Sequence, residues 1–132
     1  MAIHSMKASG NVSPMRFVHL VSSADNTAAL AGAGESCFGI SQMGTRNPPY
    51  STLDDGYAAI DGEDLEVFGV GETTLLEIAA TVVPGDRLKA DASGKGTPVT
   101  ANNDEYGAVA TRAGVSGDLI PVYVEPNSQY GA

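Results

Sequence analysis

Apolar and polar residues alternate in short runs along this 132-residue chain, and Gly or Pro interrupts most of the runs. Alternation over four to eight residues is typical of β-strands with one buried face. The 16 glycines and 7 prolines favour many short strands joined by turns over long helices. The pattern therefore predicts an all-β chain that folds as a small β-barrel or β-sandwich.

One order of elements occurs twice: a strand, a turn, a second strand, a Gly-centred strand and an Asp-Leu strand. The first copy covers residues 14–70 and the second covers residues 84–124. We therefore predict one β domain over residues 14–124, made of two loosely similar halves. Real duplication and a chance likeness between two short β meanders both remain open.

The two ends of the chain lack this alternation. Residues 1–13 predict an extended N-terminal arm, or alternatively a frayed terminus, and residues 125–132 predict a short polar tail. Ile3, Met6 and Val12 make the arm apolar enough to dock on a partner. Removal of residues 2–12 is expected to leave the β domain intact.

A long surface loop is predicted between the third and fourth strands of the first half, and it has only a very short counterpart in the second half. Asn47-Pro48-Pro49-Tyr50 excludes a helix there, because proline restricts its own backbone and that of the preceding residue. Insertions of this kind often carry contacts. The residues that we expect to contact a partner are Ile3, Met6, Val12, Pro48, Pro49, Tyr50 and Tyr57.

Residues 73–80 fit either a strand or two turns of helix, and the strand is preferred. Apolar positions of the strands predict the core. The expected core residues are Phe17, Leu20, Ile40, Leu65, Val67, Leu88, Val99, Val109, Leu119 and Val122.

Charge and cysteine content exclude several classes of protein. The net charge is −9, and the seven basic residues are scattered singly, which argues against a nucleic-acid partner. Cys37 is the single cysteine, so it cannot form an internal disulfide, and its apolar neighbours predict a buried thiol. No signal peptide or membrane-spanning run is apparent, and we expect synthesis in the cytoplasm and no membrane partner.

The sequence contains few residues in patterns that suit catalysis or metal binding. His4 and His19 are the only histidines, and neither has ligand residues at zinc-site spacing. The acidic residues between 54 and 64 lack the spacing of an EF-hand, so a solvated acidic loop is preferred over an adventitious Ca²⁺ site. We expect no catalytic residue, cofactor or metal. The alternatives are a small β-barrel enzyme or ligand-binding module, and a lipoyl- or biotinyl-like carrier with Lys95 at a hairpin tip.

Several motifs in their order resemble the tailed-phage capsid cement, or head decoration, proteins. They are residues 83–90, which contain Gly85-Asp86, the turn at Gly94, residues 106–110, and residues 117–124. The opening strand at 15–18 and Gly39-Ile40 are similar to the beginning of that family. The loop at 47–62 has no family motif, and the helix of some members is not evident unless residues 73–80 supply it.

This resemblance implies a structural virion protein without enzyme activity. Its partner would be the major capsid protein, and it would bind the outside of the capsid after assembly in the host cytoplasm. The family also implies a homotrimer at three-fold positions. Aromatic side chains in the predicted loops and ends agree with self-association, because such side chains suit interfaces.

Overall fold

The computed structural model describes residues 3–33, 35–45, 56–99 and 105–127, and none of these is helical. The prediction of an all-β fold is confirmed. The strands are β1 (Ile3–Ala8), β2 (Phe17–Leu20), β3 (Thr27–Leu30), β4 (Gly39–Ser41), β5 (Asp64–Phe68), β6 (Thr73–Glu77), β7 (Arg87–Ala90), β8 (Gly96–Pro98), β9 (Tyr106–Ala110) and β10 (Leu119–Asn127).

Strands β1 to β5 form a closed barrel in the order β1-β3-β2-β4-β5, which we call the first unit. Strand β1 closes it, because it pairs antiparallel with β5 and parallel with β3. The interior is filled mainly by small and medium apolar side chains. They are Met6, Ala8, Val12, Val18, Ala28, Ala58, Ala59, Leu65 and Val67.

Strands β6 to β10 form the second unit, a five-stranded sheet in the order β6-β10-β9-β7-β8. A single parallel bridge between Ile78 and Gly96 joins its two edges. The core of this unit includes four side chains from the first unit, Phe17, Ala31, Cys37 and Ile40. The rest of that core is Leu76, Ile78, Val82, Leu88, Ala90, Ala108, Ala110, Ile120, Val122 and Val124.

The two units share one topology. In each, the first strand pairs antiparallel with the fifth, the second strand pairs with the third and the fourth, and the fourth pairs with the fifth. The bridge between Val12 and Ala59 has its counterpart between Val82 and Gly114. Each structural copy therefore begins one strand earlier than the copy in the sequence, at residues 3 and 73.

A glycine with positive φ followed by an acidic residue precedes β5, β6, β7 and β10. Before β7, Gly85 has a φ of 91°, a conformation that favours glycine. The carboxylate of Asp86 accepts a hydrogen bond from the amide of Val83 at 3.0 Å. Glu63 before β5 and Asp118 before β10 accept equivalent bonds from the amide three residues earlier. This geometry explains the Gly-Asp motif that carries the family resemblance.

Residues 1–13 were predicted as an extended arm outside the β domain, but residues 3–8 form β1 and pair with β5 of the barrel. Met6 is 5% exposed and Val12 is 0% exposed, so both side chains belong to the barrel core. The alternation in β1 is incomplete, because Met6 and the small Ala8 are its only buried residues and the apolar Ile3 is exposed. Deletion of residues 2–12 would remove the strand that closes the barrel.

Residues 73–77 form a strand, as preferred, with Thr74 and Leu76 buried. Most predicted core residues are buried, but Leu20 and Leu119 are 49% and 45% exposed, and Val109 is only partly buried. Leu20 is the last residue of β2 and lies at the barrel rim. Leu119 faces outward because the adjacent Ile120 occupies the inward position. The other seven are Phe17, Ile40, Leu65, Val67, Leu88, Val99 and Val122.

Leu88→Ala should destabilise the protein by about 2–5 kcal/mol, because it leaves a cavity in the second core. Leu20→Ala is the matched control, since that side chain is half exposed, and it should change stability by about 0.5 kcal/mol or less. Chemical denaturation followed by circular dichroism measures both. Equal losses in the two variants would contradict the assignment of buried and exposed positions.

Candidate functional site

An ionic contact fixes the second unit against the first. Arg16 Nη2 lies 3.1 Å from Glu77 Oε1, and Lys95 Nζ lies 3.2 Å from Glu77 Oε2. Arg16 Nη1 also donates to the carbonyl oxygen of Ser93 at 3.0 Å. All three charged side chains are at most about one-third exposed. Glu77 therefore balances two cations that the packing of the units brings together.

Backbone hydrogen bonds add to this contact between the two units, which we call the joint. The amide of Phe17 donates to the carbonyl of Gly94 at 2.7 Å, and the amide of Glu77 donates to the carbonyl of Met15 at 3.0 Å. The turn that carries Lys95 is thus packed on the first unit. A carrier domain needs its lysine free at the tip of a hairpin, so this packing disagrees with the carrier alternative.

A groove of about 400 Å³ lies where the loop after β3 meets the start of β9. The hydroxyl of Ser36 donates to the carboxylate of Glu105, with both oxygens at 2.7 Å. On the other side, His19 Nε2 lies 3.7 Å from Glu35 Oε1. The lining residues are His19, Leu20, Glu35, Ser36, Cys37, Phe38 and Glu105.

The thiol in this groove is not poised for nucleophilic chemistry. Burial raises the pKa of Cys37 to about 12, and the charges of Glu105 and Glu35 act in the same direction. A nucleophilic cysteine needs the opposite environment, which stabilises a thiolate near neutral pH. Within the described part of the chain, no group of three or more His, Cys, Asp or Glu side chains could hold a metal ion.

The predicted contact residues that the structure describes differ in their exposure. Ile3 is 41% exposed on β1, whereas Met6 and Val12 are buried in the barrel. Tyr57 is partly buried. The others, Pro48, Pro49 and Tyr50, lie outside the described residues.

The second unit has an apolar surface that was not predicted from the sequence. Val109 on β9 lies opposite Tyr123 on β10, and Leu75 on β6 lies opposite Pro121 on β10. Residues opposite each other in a ladder share a face of the sheet. Leu119, two residues before Pro121, lies on the same face. By the same register Glu77 lies opposite Leu119 and Thr73 lies opposite Tyr123, so the face also has two polar side chains. We call the five apolar residues the outer face of the second unit.

A signal for this surface was present in the sequence. In the run 119–124 every residue is apolar, whereas a strand with one face in water should alternate. Such a run indicates that both faces of β10 are apolar, although only Ile120, Val122 and Val124 are needed for the core.

Comparison with solved structures gives information about the fold. The N base of the head fiber gp8.5 of bacteriophage phi29 has a similar structure, with a TM-score of 0.58 and 15% sequence identity. The match covers 98% of this chain and 98% of that one. The resemblance to phage head proteins is thereby confirmed at the level of the fold. No protein-family model and no curated protein sequence matches the chain.

Glu77→Ala should destabilise the protein by about 1–3 kcal/mol, because it leaves two partly buried cations without their anion. Asp64→Ala is the matched control. It removes the carboxylate that lies 3.1 Å from Lys7 Nζ, but both side chains are at least 60% exposed, so little loss is expected. Thermal unfolding compares the two variants. An equal effect of both would show that the joint contributes no more than a surface ion pair.

The stability of the protein should contain a pH-dependent contribution from Cys37. The pKa of about 12 in the folded protein exceeds the ordinary value of 9.0, so the contribution is fully present below pH 9 and falls as pH rises above it. The difference in unfolding free energy between wild type and Cys37→Ala should therefore change between pH 8 and pH 10.

Burial also predicts that alkylation of the Cys37 thiol at pH 8 is slow in the folded protein and fast in denaturant. Rapid alkylation of the folded protein would contradict the burial of the thiol.

Proposed function

We propose that this chain is a structural protein of a phage head, which binds the outside of the capsid and stabilises contacts between major capsid protein subunits. The similarity of its whole described fold to a head fiber base is the observation that carries the proposal. In this proposal the protein is not an enzyme, and its location is the surface of the virion after assembly in the host cytoplasm.

The physical properties of the chain suit such a role. Two units that share a core form a stiff body, and a protein that holds subunits together needs stiffness and contact area. A net charge of −9 keeps the protein soluble and gives it little affinity for packaged DNA. Many copies on one shell add modest contacts into a large total effect. Among the described residues, no helix has the length and apolar character needed to span a membrane.

The proposed contacts with the capsid are made by those predicted contact residues whose side chains are not part of the barrel core. Ile3 is exposed at the start of β1, and Tyr57 follows the proline-rich stretch of the sequence. Pro48, Pro49 and Tyr50 belong to that stretch. Aromatic side chains are often the strongest single contributors at interfaces.

The test uses capsids that were assembled without this protein. Purified protein should co-sediment with them, and decorated capsids should resist heating better than bare ones. Tyr50→Ala should weaken binding about tenfold or more if the side chain anchors the protein. Val70→Ser is the matched control, because Val70 is 61% exposed and lies outside the proposed contacts.

The outcomes separate the parts of the proposal. Absence of binding by the wild-type protein would overturn the assignment to the capsid. Binding without a gain in heat resistance would overturn the stabilising role and favour a head fiber base, the role given to the similar structure. If Tyr50→Ala and Ile3→Ser both bind fully, neither side chain anchors the protein. The body of the protein would then make the contact with the capsid.

A further inference from the structure

The groove between the two units combines acidic and apolar walls. The first unit lines it with His19 and Leu20 of β2 and with residues 35–38, and the second unit lines it with Glu105, just before β9. Its volume of about 400 Å³ lies within the range of roughly 300–1,000 Å³ that is usual for ligand sites. Such sites occur preferentially where two units of a protein meet. None of the lining residues is among the proposed capsid contacts.

Two carboxylates of the groove lack a permanent cation as a partner. Glu105 accepts a hydrogen bond from the neutral hydroxyl of Ser36, with both oxygens at 2.7 Å. Glu35 accepts one from the amide of Gly32 and lies 3.7 Å from the imidazole of His19, which is charged only when protonated. In the described part of the chain, neither carboxylate forms an ion pair with a lysine or an arginine. The groove can therefore accept positive charge from a ligand.

The two carboxylates converge on one point of the groove. Burial raises the pKa of the Cys37 thiol, and the negative charges of Glu105 and Glu35 add to this effect, so both carboxylates lie close to that thiol. Close packing fixes the two walls relative to each other. A Cβ atom at Gly107, two residues after Glu105, would lie 2.6 Å from Cys37 Cβ. The acidic side chains are thus carried by parts of the two units that are in direct contact.

The other walls of the groove suit a side chain that carries its charge on a hydrocarbon stem. Leu20 is 49% exposed there, and Phe38 packs against the first core. The Phe38 ring also packs on the ring of His4, with the centroids 5.0 Å apart. Arginine combines an apolar stem with a planar cation that binds carboxylates through two hydrogen bonds and stacks on aromatic rings. An arginine side chain therefore suits the carboxylates, the leucine and the phenylalanine ring.

We propose that this groove binds an arginine side chain of a partner protein, with the guanidinium between Glu35 and Glu105 and the stem against Leu20. The net charge of −9 favours the approach of a basic partner. Arg87 and Lys89, the cations of the adjacent strand β7, are not among the residues that line the groove. This inference does not depend on binding to a capsid, because its site and its test are separate from the proposed capsid contacts.

The experiment titrates isotope-labelled protein with N-acetyl-arginine amide and follows the backbone amide resonances by NMR at about pH 7.5, where most histidines are neutral. Shifts should be concentrated at residues 19–20, 35–38 and 105. The dissociation constant should be on the order of 1 mM, because the probe is a single residue. N-acetyl-citrulline amide is the matched control ligand. It has nearly the same shape without the charge, and it should bind about tenfold more weakly or less well still.

Two variants test the carboxylates. Glu105→Gln and Glu35→Gln each keep the shape of the side chain and its capacity to accept a hydrogen bond, and each should weaken binding of the arginine probe about fivefold or more. Glu66→Gln is the matched control variant, because Glu66 is exposed on β5 and does not line the groove, and it should bind like wild type. The amide spectrum of each variant checks that the protein is folded.

The outcomes decide both the site and the ligand. Absence of shifts at a probe concentration about twenty times the expected dissociation constant, or shifts spread over the whole surface, would overturn the proposal. Equal binding of the citrulline probe, or full binding by folded Glu105→Gln and Glu35→Gln, would show that the carboxylates do not recognise the cation and would also overturn it. N-acetyl-lysine amide tests the choice of arginine, and binding as tight as that of the arginine probe would overturn this choice.

Discussion

The structure depends on the insertion of first-unit side chains into the core of the second unit. Phe17 and Ile40 point away from the interior of their own barrel, whereas neighbouring Val18 points into it. The second sheet is joined across its edges by a single bridge, and these side chains complete the apolar layer that the sheet alone leaves open. The hydrogen bonds of residues 15–17 and the ion pairs of Glu77 then fix the orientation of one unit on the other. The two units also pack closely at Gly107. A Cβ atom there would lie 2.6 Å from Cys37 Cβ and 2.7 Å from Phe17 Cε1, so even alanine does not fit without movement.

The sequence predicted the fold class well because alternation and turn residues are local signals. Gly85-Asp86 and Gly117-Asp118 are examples, since each pair forms a turn whose glycine and carboxylate both have a geometric role. Strand β1 was missed because its inward residues include only one large apolar side chain, Met6, and its role in closing the barrel depends on β5, about 60 residues away. Long-range pairing of this kind leaves no local trace.

The candidate surfaces were harder to predict for the same reason. Whether Met6 contacts a partner or a core depends on what covers it, and the covering strand is distant in sequence. The outer face of the second unit combines residues of β6, β9 and β10, which only the sheet order brings together. Asp64 of the first unit and Leu119 of the second occupy corresponding positions, and only the pairing of the strands shows this correspondence. The similarity to a head fiber base agrees with the fold and leaves the contacts of this chain to be established by experiment.

The sharing of the second core makes the two halves of the chain unequal. Every side chain of the first core belongs to residues 6–67, so the first unit supplies the whole of its own core. The second core includes Phe17, Ala31, Cys37 and Ile40, so it is incomplete without the first unit. The two halves of the chain therefore have the same topology but differ in how far each depends on the other.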